Sequence, residues 1–188
     1  MIIDDGILFR QAVEKDAGTL VRLYDEAARW MVKHGIEQWK PGDKDAAHFR
    51  SKMDDGEVWL AGDADGRVCG AYELWWSDEE AWGIQPPVAG YVHRLMVSRE
   101  SAPAGAGRRL LEHAERRTAR TGRERARLDC VSTNPRLLAY YLDAGYRVVG
   151  ELPDKRGKDG RVYGVILLEK RLDRLTVVRR RPRCAPGR

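Results

Sequence analysis

Two glycines, Gly105 and Gly107, stand between an apolar run ending at Val97 and the helix-like segment RRLLEHAE. Without a Cβ the chain can turn sharply there and its N–H groups can come close to a phosphate. The helix that follows turns its unpaired N–H groups and the positive end of its dipole to the same point. The chemistry on offer is anion binding, and the plainer alternative is a tight strand-to-helix connection. Spacing argues against two nucleotide loops. A P-loop needs Gly-Lys followed by Ser or Thr, where this chain has Gly107-Arg108-Arg109; a dinucleotide fingerprint needs a third glycine where Leu110 stands, although Asp129 lies near the right distance for its acid.

The second candidate group is an imidazole. In YVHRLMV, strict alternation predicts Tyr91, His93, Leu95 and Val97 on one strand face, which sets His93 among apolar neighbours. With an ordinary pKa of about 6.5 a histidine can take a proton at neutral pH; the alternative is a purely structural histidine. Glu73, on the preceding strand, is the second candidate base. Cys69, Cys130 and Cys184 are odd in number, far apart and without a CxxC pair, so neither a disulfide framework nor a metal site is expected. Cys69 and Cys130 read as small buried hydrophobes.

These groups need a scaffold, and the pattern supplies a mixed one. Ile7 to Ala12 reads as a strand, after which Asp16 can cap a helix bearing Leu20, Leu23, Ala27 and Met31 and stopping near Gly35. A short helix is expected around Asp45 to Met53. Glu57 to Ala61 and Arg67 to Trp76 form a hairpin across GDADG, and SDEEAWGIQPP is a loop. Tyr91 to Val97 is the next strand. Gly107, Leu110, Leu111, Ala114 and Thr118 mark one face of the following helix, which ends near Gly122. Ala126 to Val131 is a strand, and Asn134-Pro135 opens a helix with a capping side chain and proline at its first position. Gly145 closes it. Tyr146 to Gly150 and Val162 to Glu169 are the last strands, joined by the polar loop PDKRGKDG. The order β-α-α-β-β-β-α-β-α-β-β is an α+β fold, with one strand–helix–strand crossover at the glycine turn.

At 188 residues one domain is expected. No apolar run of about twenty residues exists, and MIIDDGILFR has acids where a signal peptide needs a basic start, so a cytoplasmic protein that does not enter membranes is expected. The net charge of +5 is concentrated: residues 171 to 188 carry seven arginines and one acid, +6, which leaves residues 1 to 170 at −1. The body of the chain is therefore not a basic nucleic-acid-binding surface, and the tail reads as a solvated, disordered segment.

With this order on the page, the chain resembles the GNAT acyltransferases over roughly residues 6 to 170. The likeness rests on Ala102-Pro103-Ala104-Gly105-Ala106-Gly107 at the place of the family's pyrophosphate loop. It rests also on Asn134, Tyr140, Tyr141, Gly145 and Tyr146, at the spacing of a second family motif. The resemblance implies a mostly antiparallel central sheet with flanking helices in a domain of residues 1–170, followed by the basic tail 171–188. It implies an N-acetyltransferase that moves an acetyl group from acetyl-CoA to a primary amine of a small molecule by direct attack in a ternary complex. A non-catalytic coenzyme A sensor is the alternative. At the loop this sequence departs from the family: Ala102 replaces a long polar residue, and Pro103 brings no N–H.

By the same resemblance, Tyr141 is the general acid for the leaving thiolate, Tyr140 packs, and His93 stands where the family often carries a glutamate base. The Val97 N–H takes the oxyanion role, flanked by Met96. Ala102, Gly105, Ala106, Gly107, Arg108, Arg109 and Asn134, with Tyr141, contact the cofactor. The loops HGIEQWKPGD and SDEEAWGIQPP supply the acceptor walls Glu37, Trp39, Asp78 and Trp82, with Glu79 and Glu80; acids and aromatics suit a cationic amine. A homodimer is the expected assembly.

Overall fold

The apolar residues of the fourth helix recur every three or four positions, and the structure buries that stripe: Leu110, Leu111, Ala114 and Thr118 have no exposed surface. In this computed structural model, which describes residues 2–4, 6–156, 160 and 162–173, the stripe packs on one face of an eight-stranded sheet. Each fully buried leucine contributes about 1.5–3 kcal/mol relative to an exposed one.

The chain begins with strands β1 (Ile2–Asp4) and β2 (Ile7–Gln11), then helices α1 (Ala17–Lys33) and α2 (Ala46–Asp55). Strands β3 (Glu57–Gly62) and β4 (Val68–Trp75) form the predicted hairpin, and β5 (Ala89–Val97) pairs antiparallel with β4. Next come α4 (Ala106–Arg120), β6 (Arg125–Val131), α5 (Pro135–Asp143), β7 (Arg147–Arg156) and β8 (Val162–Arg171). The order across the sheet is β1-β2-β3-β4-β5-β6-β8-β7. Among the described strands only β5 and β6, joined by the crossover through α4, run parallel. Helices α1 and α2 close one core with Leu60, Ala71 and Met96; α4 and α5 close the other with Leu74, Val92 and Leu128.

Several expectations are corrected. Asp16 stands at the start of α1 but makes no side-chain cap there; its carboxylate accepts from the Val13 N–H at 2.9 Å and pairs with Arg10 at 2.6 Å, tying a short 3-10 turn to β2. The loop SDEEAWGIQPP contains a short helix, α3 (Glu79–Trp82), because Asp78 caps it by accepting from the Ala81 N–H. The first half of the loop PDKRGKDG is strand, and residues 157–159 lie outside the described residues; β7 runs on to Arg156, with its register shifting between Leu152 and Lys155. A shift there leaves Pro153 without the ladder bond it cannot make. β8 extends through Arg171, and Leu172 is buried in the core. Of the predicted basic tail, residues 174–188 lie outside the described residues. Among the described residues, no helix is long and apolar enough to cross a membrane.

The face assignment on β5 is also corrected. Glu73 pairs with His93 and Ala71 with Met96, so one residue of β4, Tyr72, is matched by two of β5, Arg94 and Leu95. Arg94 absorbs the extra residue with φ +46°, a left-handed conformation that is strained for a side chain of its size. Side-chain direction flips across this bulge. Leu95 and Val97 pack toward the core under α4, whereas His93 faces Trp75 and Asp78.

Candidate active site

Pairing between β5 and β6 stops at Tyr91 and Arg127. Beyond that point the strands part, and a cleft of about 2300 Å³ opens between them. Among the residues that line it are His93, Val97, Gly107, Asn134 and Tyr141. One edge is main chain. Because the Ser98 N–H donates to Cys69 O at 2.9 Å, the alternation of an antiparallel ladder turns the neighbouring Val97 N–H away from β4, toward the parted side.

At the head of the cleft α4 begins. Gly105 holds φ +78° as its N-cap, a backbone that only glycine adopts without strain. Gly107 is constrained differently: a Cβ there would stand 3.2 Å from the Tyr140 hydroxyl and 3.5 Å from a Val97 methyl, so its small size lets α4 approach α5 and β5. The Ala106 N–H is taken by Pro103 O and that of Ala102 by Ser98 O. The Gly107 and Arg108 N–H groups, in the first turn of α4, have no backbone acceptor among the described residues, the arrangement that favours an anion. The loop before them is latched to α1, where Glu26 Oε1 accepts from the Arg99 N–H at 2.6 Å and from Ser98 Oγ at 3.1 Å.

Tyr141 is buried in α5 and reaches the cleft; burial pushes its phenol well above the ordinary tyrosine range, and no hydrogen bond engages its hydroxyl among the described residues. Tyr140, read as a packing residue, has a buried hydroxyl with no partner among the described residues. Asn134 caps α5 by accepting from the Leu137 N–H at 3.1 Å and also borders the cleft.

His93 projects from β5 into a slot, stacked on Trp75 with ring centroids 3.9 Å apart. Its Nε2 lies 3.1 Å from Asp78 Oδ2. The approach is close but off-line, and neither atom has a well-aligned hydrogen bond or contact with solvent. Burial pushes the Asp78 carboxyl up, but His93 and the nearby Lys155 ammonium pull it further down, below the usual carboxylate range. Asp129, from β6, completes a cluster in which Asp78, His93 and Asp129 each offer a ligand atom within 4.8 Å of one another. A cation already belongs to this cluster: Lys155 Nζ sits 2.7 Å from Asp129 Oδ2.

The second candidate base is placed elsewhere. Glu73 is fully buried and does not line the cleft. Its oxygens are held by Arg94 at 2.6 Å, by His48 at 3.2 Å and by the Trp75 indole N–H at 3.0 Å. Burial raises this carboxyl, and His48 and Arg94 outweigh burial to hold it low.

Of the other predicted contacts, Ala102, Gly105, Ala106 and Arg108 border the cleft, as do Glu37, Trp39, Asp78, Glu79 and Glu80. Three predicted residues do not. Met96 is packed under α1 and α2 because the bulge turns it to that face. Arg109 lies on a side of α4 that does not border the cleft, and Trp82 is turned away, its ring under Arg127 at 4.7 Å. Trp75, Asp129 and Lys155 are neighbours of His93 that no local pattern marks: in the sequence Asp129 suits a dinucleotide acid, and Lys155 falls in the polar stretch PDKRGKDG.

A sheet parted at one parallel pair, with a glycine-started helix at the opening and an imidazole and a phenol on the walls, defines an acyl-transfer enzyme. The chain belongs to the GNAT acetyltransferases: the pattern described as "Acetyltransferase (GNAT) family" matches residues 20–146. It is 30% identical over 157 residues, 79% of this chain and 86% of the other, to a Bacillus subtilis (strain 168) protein described as the uncharacterized N-acetyltransferase YesJ. Among solved structures it is similar to a GNAT family acetyltransferase from Listeria monocytogenes, with TM-score 0.72 and 26% identity over 91% of this chain and 99% of that one. The fold is also shared with yncA of Salmonella typhimurium, a putative acetyltransferase solved with its cofactor acetyl-CoA, at TM-score 0.64 and 18% identity over 90% and 95% of the chains.

Proposed function

We propose that this chain transfers an acetyl group from acetyl-CoA to a primary amine of a small molecule by direct attack in a ternary complex. The observation that carries the reading is the convergence of His93, Tyr141 and the outward Val97 N–H on the one cleft at whose head α4 begins. The donor supplies a thioester carbonyl that an amine nitrogen can attack.

The chain's own groups bind the donor, stabilise the charge and move the protons. The Gly107 and Arg108 N–H groups and the Arg108 guanidinium hold the phosphates, with Asn134 beside them. The Val97 N–H receives the negative charge that grows on the carbonyl oxygen. His93 takes a proton from the attacking nitrogen, which forms the new C–N bond. As the C–S bond breaks, Tyr141 gives its phenolic proton to the departing sulfur; solvent then restores that proton and takes the one held by His93. The products are an N-acetyl amide and coenzyme A. Trp39, Glu37, Glu79 and Glu80 form the wall on which a cationic amine rests, by charge and by cation–π contact.

Mass spectrometry of an amine panel incubated with the purified chain and acetyl-CoA tests this reading. A product heavier by one acetyl group supports it, and unmodified amines throughout, with the cofactor bound, oppose it.

A further inference from the structure

We infer that Asp78 is a positioning residue for His93: it holds the Nε2–H side of the imidazole, so that Nδ1 is the nitrogen that takes the acceptor's proton. The inference rests on the reading of His93 as the base, and it assigns an atom and a partner that this reading leaves open.

Among the described residues the two buried atoms have only each other. Asp78 Oδ2 and His93 Nε2 are 3.1 Å apart, shielded from solvent and otherwise unpartnered. Leaving both unsatisfied would incur the desolvation penalty of each, and a proton on Nε2 directed to Oδ2 offsets part of that cost. A proton on Nδ1 instead would set the Nε2 lone pair against the carboxylate. The remaining atom, Nδ1, bonds nothing among the described residues and is open to the cleft.

Both partners are held still. The other Asp78 oxygen accepts from the Ala81 N–H at 3.3 Å, which fixes the carboxylate at the start of α3. Trp75 lies against the ring at 3.9 Å and 27°, which opposes a flip. Charge points the same way. The acids that face this slot are Asp78 from the β4–α3 loop, Asp129 from β6 and Glu73 from β4. Asp129 is matched by Lys155 of β7, and Glu73 by Arg94 and His48. Among the described residues, Asp78 has His93 as its ion-pair partner, with Lys155 acting from farther off. When the imidazole takes the acceptor's proton, the charge arises beside a carboxylate already in place.

The experiment is a two-bond ¹⁵N–¹H correlation spectrum of the full chain labelled with ¹⁵N-histidine, at about pH 9, where imidazoles are neutral. His93→Gln assigns the signal by its loss. The expected spectrum has the His93 proton on Nε2. In Asp78→Asn, which can turn an amide N–H toward Nε2, the proton moves to Nδ1; kcat falls about tenfold or more, while KM for acetyl-CoA stays within about twofold. Asp78→Ser keeps a cap for α3 without reaching the ring and should also lose the Nε2–H preference. A wild-type proton on Nδ1, or a tautomer and kcat unchanged in both variants, overturns the inference. A wild-type Nε2–H lost in both variants, in a chain that acetylates no amine, supports the hold of Asp78 on Nε2–H but overturns the proposed reaction and, with it, Nδ1 as the atom that takes the acceptor's proton.

Discussion

Glu73 and Arg94 meet at 2.6 Å across the bulge that turns His93 and Val97 to different sides of β5. The carboxylate is fully buried and the guanidinium mostly so, which makes the pair part of what holds the strand in its broken register. Removing one member strands the other in a dry site. Arg94→Ala is expected to lose about 3 kcal/mol in urea denaturation. Because position 94 sits at φ +46°, Arg94→Gly should lose about 1 kcal/mol less than Arg94→Ala. Equal losses would mean that the backbone there is unstrained.

Gly107 is tested through its neighbour. A methyl group at 107 meets the Tyr140 hydroxyl at 3.2 Å, tighter than ordinary contact. Gly107→Ala should cost about 1–2 kcal/mol and weaken acetyl-CoA binding. In a Tyr140→Phe background, where the opposing oxygen is gone, the cost should shrink by about 0.5 kcal/mol or more. A double-mutant cycle by denaturation measures this coupling directly, and additivity would rule out the contact as the cause.

Acid should unfold this chain through a few carboxylates. Asp16 is held low chiefly by its bond to Arg10. For Glu57, burial pushes upward, but Arg117 and the Trp59 indole N–H outweigh it and the net direction is down. A folded-state pKa below the unfolded one gives stability that is complete above the ordinary values of 3.8 for Asp16 and 4.5 for Glu57 and is lost as pH falls through the lowered values. Tm should therefore drop steeply below about pH 4.5. Glu57→Gln should lower Tm at neutral pH and flatten that drop; a parallel curve would remove Glu57 from the acid transition.

The thiols of Cys69 and Cys130 should be silent in the native protein. Both are buried, and burial pushes Cys130 to about 11 and raises Cys69. Peptide mapping after iodoacetamide at about pH 8 should show these two residues labelled only once denaturant is added. Native labelling of Cys130 would show that its strand opens readily.

Much of the scaffold is legible because local physics and tertiary packing agree. The α4 stripe falls where the core needs it, and Asn134 with Pro135 starts α5 by the cap and ring that the pair suggests. The bulge is different. Nothing in YVHRLMV marks it, since the residue that takes the positive φ is an arginine whose buried partner lies 21 positions away. Strict alternation therefore carried Leu95 and Val97 to the wrong side of His93. Lys155 escaped notice because a strand continuing past Pro153 depends on a register shift against β8, not on any local preference. Three members of the His93 surroundings, Asp78, Asp129 and Lys155, come from separate elements, and only the parted sheet brings them together.

Coenzyme A release in the presence of acetyl-CoA and an amine panel, measured for the wild type and Tyr141→Phe alongside their thermal unfolding, tests the acetyl-transfer reading most directly. Saturating acetyl-CoA at about 100 times its dissociation constant should raise Tm by about 5–11 °C in both proteins. Amine-dependent thiol release should fall about 100-fold or more in Tyr141→Phe. Equal release by the two proteins would contradict the proton-donor role of Tyr141, and binding without release from the wild type on any amine would contradict the transfer itself.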